Sequence, residues 1–302
     1  MGLHLRSHLP VWGRGHRRVC TSAATPPRRN PGSTNAKDLI FVVLAALVAA
    51  APGGAAQIRL LSVDDEIRIG RQSQREVRRE VPVLTDPEVN TYIASIGRRL
   101  AARAAGPRYP YTFSVANYRE INAFALPGGP VWIHRGAISA AANEAQLAGV
   151  LAHEIAHVSQ RHAADQITKQ LVANGFLGLM SAMLGNGRSA QTAQAGARVL
   201  AGSYMLKFSR DDERQADTAG AVIMRRAGWD AREMIGFMET LRKEEGKDPA
   251  SLEVFLSSHP APAERVQRLR ASLPRGGTKD SAKFRGVKAR LAKLPRARSM
   301  SR

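Results

Sequence analysis

The chain has 302 residues, with 45 Lys or Arg against 25 Asp or Glu, and therefore carries a formal net charge of +20. Its 44% of hydrophobic residues exclude a wholly disordered chain, and its length allows one or two domains with a sizeable core. A single cysteine excludes a disulfide framework and any cysteine-based zinc knuckle. A charge this high is typical of nucleic-acid binders and of proteins that lie on anionic lipid, so its distribution along the chain matters.

The excess charge lies at the two ends of the chain. Residues 1–37 carry seven basic and no acidic residues, and residues 274–302 carry ten basic residues and one acid. We predict that 274–302 is a basic, disordered tail, and the alternative is an electrostatic tether to an anionic membrane. Phe284 is the one aromatic residue of this tail, which leaves no platform for stacking bases. Nucleic acid is therefore not an expected partner.

The first predicted element is an unbroken run of thirteen apolar residues, 39–51. A membrane-spanning helix needs about 20 such residues, so this run is typical of the core of a signal peptide. The Arg-rich lead before it is long for a bacterial signal, and a start codon placed too far upstream or a mitochondrial transit peptide would explain it. We expect residues 1–56 to be a targeting leader and the protein to act in the periplasm, with mitochondria as the alternative.

Two helices are predicted after the leader. Acidic residues from Asp64 cap the first, a basic helix that ends before Pro82. Asp86 and Pro87 open the second. Its apolar residues recur on one face at helical spacing: Val89, Tyr92, Ile93, Ile96 and Leu100.

Three short strands are predicted next. Residues 111–115 alternate and are rich in β-forming residues, and 124–126 and 131–134 flank a Pro-Gly-Gly-Pro turn. The remaining elements are helices, predicted over 143–162, 190–206, 211–227 and 230–245, with one more beginning near Pro262. We therefore predict an α+β fold that is mostly helical, with a small antiparallel sheet beside the helix over 143–162.

The most informative stretch is His153-Glu154-Ile155-Ala156-His157. Two histidines at i and i+4 share a helix face, so both imidazoles can bind one metal ion at about 2.0–2.1 Å. Glu154 can take a proton from a metal-bound water, whose pKa the metal lowers toward about 7. This helix is otherwise apolar, and burying these polar groups without a metal or partners would be costly. The pattern therefore predicts a hydrolytic zinc site.

A third ligand is needed, and a later acidic helix offers one. Glu213 and Asp217 share a face at i and i+4, so Glu213 can bind the metal while Asp217 accepts a hydrogen bond from a ligating imidazole. Asp211 and Asp212 fit an acidic helix start better. His162 is one residue out of place for the metzincin pattern, so we expect it to be a structural or surface residue.

Four motifs occur in the order found in a known family. They are Asn122-Ala123-Phe124-Ala125-Leu126-Pro127-Gly128-Gly129, His153-Glu154-x-x-His157, Ser209-Arg210-x-x-Glu213-x-x-x-Asp217, and Ser258-His259-Pro260 with Arg265. On these motifs, over about 60–272, the chain resembles the zinc metallopeptidases of the HtpX, BepA and CAAX-prenyl-protease family. The resemblance implies a metallopeptidase domain over 57–273, a gluzincin with one zinc ion held by His153, His157 and Glu213.

The resemblance implies further roles. It places the substrate backbone along Val131, Trp132 and Ile133, in the strand after the Pro-Gly-Gly turn. It makes His259 a donor to the oxyanion or a displaceable extra zinc ligand that keeps the site closed. It makes Arg265 a residue that orients the substrate or the oxyanion. The alternatives are a helix-entry residue at 259 and a surface charge at 265.

The function implied by the resemblance is a zinc metalloendopeptidase acting on misfolded or membrane-associated envelope proteins. The chain lacks the spanning helices of HtpX and the tetratricopeptide repeats of BepA, so prenyl-protein cleavage and repeat-mediated recognition are not expected. One alternative is a chaperone-like or scaffolding protein with a latent metal site, and another is a binder of anionic surfaces. The apolar segment 171–184 is expected to be a buried helix, or else a lid or membrane-facing plug.

Overall fold

The structure, a computed structural model, describes residues 60–183, 207–245, 249–259 and 262–300. The predicted leader and the helix predicted over 190–206 lie outside these ranges. The helices are α1 Val63–Glu80, α2 Pro87–Ala101, α3 Arg135–Ala140, α4 Glu144–Ser159, α5 His162–Met183, α6 Arg210–Arg226, α7 Glu233–Glu245, α8 Pro249–Ser258, α9 Pro262–Ser272 and α10 Ala282–Lys293. The strands are β1 Thr112–Ala116, β2 Ala123–Ala125 and β3 Pro130–His134.

The helices begin where short polar side chains can cap them. Ser62 and Asp65 form a capping box at the start of α1, and Asp86 accepts a hydrogen bond from the amide of Val89 in α2. Asn143 accepts one from the amide of Gln146 at the start of α4. These caps satisfy amides that have no partner within the helix. The starts of α2 and α4 were predicted correctly, whereas α1 is capped by Ser62 and not by the run of acidic residues that begins at Asp64.

The fold class is α+β, as predicted, but the three-stranded sheet is mixed rather than antiparallel. Its order is β1-β3-β2, with β2 antiparallel and β1 parallel to β3. The antiparallel pair is the hairpin that the turn residues 127–130 predict. The parallel pairing of β1 depends on tertiary packing against α2, which no local turn signal encodes.

The turn between β2 and β3 requires glycine. Gly128 has a φ of 72°, a conformation that other residues adopt only at a cost. A Cβ atom there would also lie 2.5 Å from the carbonyl oxygen of Glu66 and 2.5 Å from the Cα of Ile67. The turn therefore packs directly on the backbone of α1, and this contact joins α1 to the sheet.

Helix α4 is the centre of the core, because every one of its residues is buried. It packs against α6, α7 and α2. The small residues Ala216, Gly220 and Ala221 on α6 allow close approach, and a Cβ on Gly220 would lie 3.3 Å from the backbone nitrogen of His153. The helix ends at Ser159 rather than near residue 162. Arg161 then takes a φ of 66°, and α5 starts in a new direction.

Residues 274–300 do not form the disordered tail that their charge predicted. Phe284, Val287 and Leu291 on α10 are almost fully buried and belong to the main core. Upstream of α10, the carbonyl of Lys279 accepts a hydrogen bond of 2.8 Å from the amide of Ala145. The prediction was wrong because the many basic residues hide an apolar stripe at i, i+3 and i+7, which is enough to bind a helix to the core.

This C-terminal segment also covers the start of α3. Arg135 is 8% exposed and donates to the carbonyl oxygens of Leu291 and Pro295 at 2.5 and 2.6 Å. Asp280 accepts a hydrogen bond of 3.3 Å from the amide of Glu144, the first residue of α4. The segment is therefore part of the same compact unit as the rest of the described chain.

No helix in the described part of the chain is long and apolar enough to cross a membrane. The segment 171–184 lies largely within α5. Its first residues, Leu171 and Val172, are 40% and 57% exposed, so at these two positions the segment is not the buried helix that was expected.

Candidate metal centre

Four buried side chains converge beside α4. His153 and His157 extend from α4, Glu213 comes from the first turn of α6, and His259 follows the last residue of α8. One donor atom from each lies within 4.8 Å of all the others. The sequence predicted that the first three would meet as ligands, and the structure brings them together.

The distances within this group suit a zinc ion. Tetrahedral zinc with bonds of about 2.0–2.1 Å holds its ligand atoms roughly 3.3 Å apart. His153 Nε2 lies 3.0 Å from His157 Nε2 and 3.3 Å from His259 Nδ1. Glu213 Oε1 lies 3.3 Å from His157 Nε2 and 2.9 Å from His259 Nδ1. Imidazole and carboxylate are ligands that zinc prefers, so the residues fit this metal.

The charge of the site also favours a divalent cation. Three buried carboxylates, those of Glu154, Glu213 and Asp217, face two guanidinium groups, those of Arg265 and Arg268. When ionised, the three carboxylates exceed the two guanidinium groups by one negative charge, which is costly in a buried place unless a proton on His153 or a metal cation compensates it. A zinc ion would turn this net charge of one negative unit into one positive unit, so the magnitude of the buried charge would not grow.

The ring of His153 is oriented by Asp217. His153 Nδ1 lies 3.2 Å from Asp217 Oδ1, so an Nδ1–H donated there leaves Nε2 free for a metal. Burial by itself lowers the pKa of His153, but Glu213 and Asp217 outweigh it and raise that pKa to about 9. Burial likewise opposes ionisation of Asp217, yet His153 and Arg265 lower its pKa to about 2.

The ring of His157 is held by two residues whose roles the sequence did not reveal. His162 Nδ1 lies 2.9 Å from His157 Nδ1, and His162 Nε2 lies 3.3 Å from Gln215 Oε1. A chain of donors running from His157 to Gln215 would leave His157 Nε2 free for the metal. Phe208 stacks on the same ring at 4.0 Å. Burial lowers the pKa of His157 well below its usual value.

His162 was expected to be a structural or surface residue, and it is a structural one, 1% exposed. Its position comes from the sharp break at Arg161, which places the first residue of α5 back against α4. One indication of this contact was present in the sequence, where a histidine follows His157 five residues later. Phe208 gave no signal, because it belongs to a loop with no periodic pattern.

The guanidinium group of Arg265 is bound by two carboxylates of the centre. It donates to Asp217 at 2.9 and 2.6 Å and pairs with Glu213 Oε2 at 2.6 Å. Arg268, one turn later on α9, pairs with Asp217 at 2.8 Å. These contacts favour a positioning role for Arg265 over the orientation of substrate or oxyanion, because its guanidinium group is already engaged by two carboxylates.

Glu154 is 1% exposed, and neither of its carboxylate oxygens has a hydrogen-bond partner among the described residues. His259 Nε2 lies 3.5 Å from Glu154 Oε1. Burial raises the pKa of this carboxyl group, while His259 and His153 oppose the rise. A buried carboxylate that accepts no hydrogen bond is unusual and indicates a functional position.

The predicted substrate strand is wrong. Val131, Trp132 and Ile133 lie in the central strand β3, which pairs with β1 on one side and β2 on the other. Their side chains are buried as well, with exposures of 0–1%. A peptide cannot add to a strand whose two edges are already paired. Strands β1 and β2 are the edges of this sheet, and β2 contacts α4, so an added strand would pair with one of these two and not with β3.

Comparison with known proteins agrees with this arrangement. Peptidase family M48 matches residues 87–273, which is more than half of the chain. The chain is 35% identical over 215 residues to the beta-barrel assembly-enhancing protease of Yersinia pestis, covering 70% of this chain and 44% of that protein. It is 28% identical over 222 residues to the mitochondrial metalloendopeptidase OMA1 of Schizosaccharomyces pombe, covering 72% of this chain and 64% of that one.

A third relative is the metalloprotease YcaL of Escherichia coli K12, with 27% identity over 194 residues, covering 63% of this chain and 74% of that protein. The chain spans less than half the length of the beta-barrel assembly-enhancing proteases that it matches. The family match begins at Pro87 and ends at Leu273, so it contains every residue of the buried cluster. The chain therefore belongs to peptidase family M48, a family of zinc-dependent metallopeptidases.

Proposed function

We propose that the chain is a zinc-dependent metalloendopeptidase that hydrolyses peptide bonds in misfolded or membrane-associated envelope proteins. One observation carries the proposal. The buried group of His153, His157, Glu213 and His259 lies beside the Glu154 carboxylate, which accepts no hydrogen bond from the described residues. The names of the relatives, which refer to β-barrel assembly and to metalloendopeptidases, support the reaction and the substrate class.

His153, His157 and Glu213 would hold the zinc ion. When bound, zinc supplies a Lewis acid that polarises a peptide carbonyl and lowers the pKa of water. Asp217 and His162 fix the two imidazole rings with their Nε2 atoms toward the centre, and Arg265 holds the Glu213 carboxylate. The protein therefore supplies an oriented set of donors, so little rearrangement is needed on binding.

Glu154 is the proposed general base. Its carboxylate accepts a proton from the attacking water as the new carbon–oxygen bond forms. It then gives that proton to the leaving nitrogen as the carbon–nitrogen bond breaks. The absence of other hydrogen bonds to this carboxylate leaves both oxygens available for the transfer.

His259 is proposed to be a fourth donor that closes the site. Its Nδ1 lies among the ligand atoms, 2.9 Å from Glu213 Oε1 and 3.3 Å from His153 Nε2. This position favours the displaceable ligand over the oxyanion donor, because a donor to the oxyanion would face the substrate instead. The second candidate function, a chaperone-like or scaffolding protein with a latent, closed metal site, is not favoured, because the relatives are named as proteases and metalloendopeptidases.

We propose that the protein acts in the periplasm, with mitochondria as the alternative. The relatives include proteins named for β-barrel assembly and a protein named as mitochondrial, so both places have support. A peripheral contact with anionic membrane is proposed for α10, whose exposed residues include Arg285 and Lys293.

The test compares wild type with Glu154→Gln, His259→Ala and the surface control Glu88→Gln. Bound zinc and casein cleavage are measured for each. We expect Glu154→Gln to retain zinc and lose cleavage by at least about 100-fold, as expected for loss of a general base, while Glu88→Gln stays at wild type. His259→Ala should raise cleavage if the site is closed by this residue. Wild-type cleavage by Glu154→Gln would contradict the mechanism.

A further inference from the structure

Arg161, at the break between α4 and α5, holds a backbone conformation that arginine rarely adopts. Its φ is 66°, and no other non-glycine residue in the described part of the chain has a positive φ. Glycine would take this conformation at no steric cost, whereas a residue with a Cβ is strained there. A strained arginine at this place indicates that its side chain does something that glycine could not do.

The side chain of Arg161 reaches back to α1 and binds there. Its Nε donates to Glu66 Oε1 at 2.7 Å, and its Nη2 lies 2.6 Å from the same oxygen. Nη2 also donates to the carbonyl oxygen of Leu61 at 2.6 Å. Tyr109 donates to the other carboxylate oxygen, Glu66 Oε2, at 3.2 Å. Glu66 is 1% exposed, so these charge-assisted hydrogen bonds meet little competition from water.

Glu66 is itself held in place, because α1 packs directly on the turn between β2 and β3. A Cβ on Gly70 would overlap the carbonyl oxygen of Pro127, and a Cβ on Gly128 would lie 2.5 Å from the carbonyl oxygen of Glu66. Two backbone contacts this close, one turn apart on α1, leave the helix little freedom to slide or rotate. The carboxylate is therefore a fixed anchor for Arg161.

The anchored arginine directly precedes the residue that holds a metal ligand. His162 follows Arg161 in the chain, and its Nδ1 lies 2.9 Å from His157 Nδ1. A rotation about the backbone of Arg161 would swing His162 and the start of α5 away from α4, because all later atoms turn with it. The contacts thus form one path, from Glu66 through Arg161 and His162 to the ring of His157.

We propose that Glu66 and Arg161 are positioning residues for the metal centre. Their ion pair fixes the break after α4 and so keeps His162 on the ring of His157, and neither of the two belongs to the group of possible ligands. The inference rests on the zinc site of the proposed function and deepens it, because it makes α1 part of the support of that site. Helix α1 ends at Glu80, before the match to peptidase family M48 begins.

The first experiment measures the zinc affinity of the full chain by competition with a chelator, for wild type, Glu66→Gln and a matched control. Glutamine keeps the size of the side chain but removes the charge that binds Arg161. Partners behind metal ligands contribute about 10–100-fold to affinity, and Glu66 acts through two other residues, so we expect a loss of about tenfold.

The control Glu120→Gln removes another buried carboxylate, 4% exposed, which pairs with Arg119 and does not belong to the metal centre. It should bind zinc as tightly as wild type. Wild-type zinc affinity in Glu66→Gln, or an equal loss in both variants, would overturn the proposal.

A second measurement reports the geometry of the centre rather than its affinity. Cobalt(II) can take the place of zinc, and its visible absorption depends on the arrangement of its ligands. Glu66→Gln should change the cobalt bands, because His157 loses its orientation, whereas Glu120→Gln should reproduce the wild-type spectrum. A mere loss of stability would leave the spectrum of the folded protein as it is, so unchanged bands in Glu66→Gln contradict the positioning role.

Variants of Arg161 test whether the two residues act as one unit. Glycine at 161 adopts the conformation without strain but is not held in it, so Arg161→Gly should lose about as much zinc affinity as Glu66→Gln. The double variant should lose no more than either single variant, since both remove the same contact. Losses that add would show that the residues act separately and would refute the proposal. Should Glu66→Gln not fold, Arg161→Gly carries the test, and wild-type affinity and cobalt bands in that variant overturn it.

The outcomes separate the positioning role from the proposed function. If wild type cleaves no casein, but Glu66→Gln weakens zinc binding and changes the cobalt bands, the endopeptidase function fails and the positioning role stands. If wild type cleaves casein and Glu154→Gln does not, while Glu66→Gln binds zinc as wild type does, the function stands and the positioning role is refuted.

Discussion

Replacing Asp217 by asparagine tests whether the residues behind the ligands set metal affinity. Asp217 is fully buried and accepts contacts from Arg265 at 2.6 and 2.9 Å, Arg268 at 2.8 Å and His153 Nδ1 at 3.2 Å. Asparagine keeps one acceptor oxygen but turns an N–H₂ group toward these donors. The substitution is nearly isosteric, so its effect comes from charge and hydrogen bonding rather than from volume.

Two consequences have different magnitudes. Loss of a partner that orients a ligating histidine costs about 10–100-fold in metal affinity, which corresponds to about 1.4–2.7 kcal/mol. Breaking a buried ion pair by removing one partner costs about 3–5 kcal/mol of stability, and the single interaction of Arg265 with Glu213 offsets part of this. We therefore expect weaker zinc binding together with lower stability of the metal-free protein.

The assays are competition with a chelator of known affinity for the zinc dissociation constant, and urea unfolding in excess chelator for stability. The control is Asp230→Asn, which removes another buried carboxylate, 3% exposed, that belongs to no part of the cluster. Zinc affinity of Asp217→Asn within twofold of wild type would refute the reasoning. Equal loss in Asp230→Asn would show that the effect is not specific to the centre.

Three further predictions concern stability, each measured by urea unfolding in chelator. Phe284→Ala should lower the free energy of unfolding by about 3–4 kcal/mol, because the ring is 1% exposed, whereas Lys293→Ala on the same helix should lower it by less than about 0.5 kcal/mol. Equal losses in the two variants would favour a disordered tail over a packed helix. Gly128→Ala should lower the free energy of unfolding by about 1–3 kcal/mol or more, because alanine is strained at a positive φ and its Cβ would collide with the backbone of α1. An unchanged urea midpoint would refute this reasoning. Burial lowers the pKa of His134 to about 4, below its unfolded value of about 6.5. Its neutral form therefore stabilises the fold above pH 6.5, and about 1–2 kcal/mol is lost between pH 7 and 5. His134→Asn should flatten this slope, and an equal slope in both proteins would exclude His134 as its source.

The metal centre was largely predictable because its residues follow local rules. His153 and His157 share a face through helical geometry, and Glu213 and Asp217 do the same on α6. Asp212 was correctly separated from them, since it forms the capping box with Ser209. Which residues share a face needs only a spacing and a chemical preference, whereas the meeting of Glu213 with the two histidines depends on the close packing of α4 and α6.

What the sequence did not reveal depends on contacts between distant segments. Strand β3 is central because β1 pairs with its free side, so Val131–Ile133 do not lie at an edge where a substrate could pair. The positions of His162 and Phe208 follow from the break at Arg161 and from an irregular loop. Such features are set by tertiary packing, which a one-dimensional pattern does not contain.

The prediction of a disordered C-terminal tail was wrong for a different reason. Its net charge was read as a property of the whole segment, although α10 buries only the stripe that starts at Phe284. An amphipathic helix can be strongly basic on one face and still bind the core by the other. Charge sums over a window of about 30 residues conceal this, whereas the i, i+3, i+7 spacing shows it.

The bonds from α4 and α3 to the C-terminal segment determine when the centre is completed. Glu144 and Asp280 are 136 positions apart, and Arg135 and Pro295 are 160 apart. Contacts over such separations form late, because the intervening chain must be ordered first. Residues that follow both zinc-binding histidines by more than a hundred positions must therefore be in place before the helix that carries the histidines has these partners. The final geometry of the site thus depends on a segment that takes no part in binding the metal.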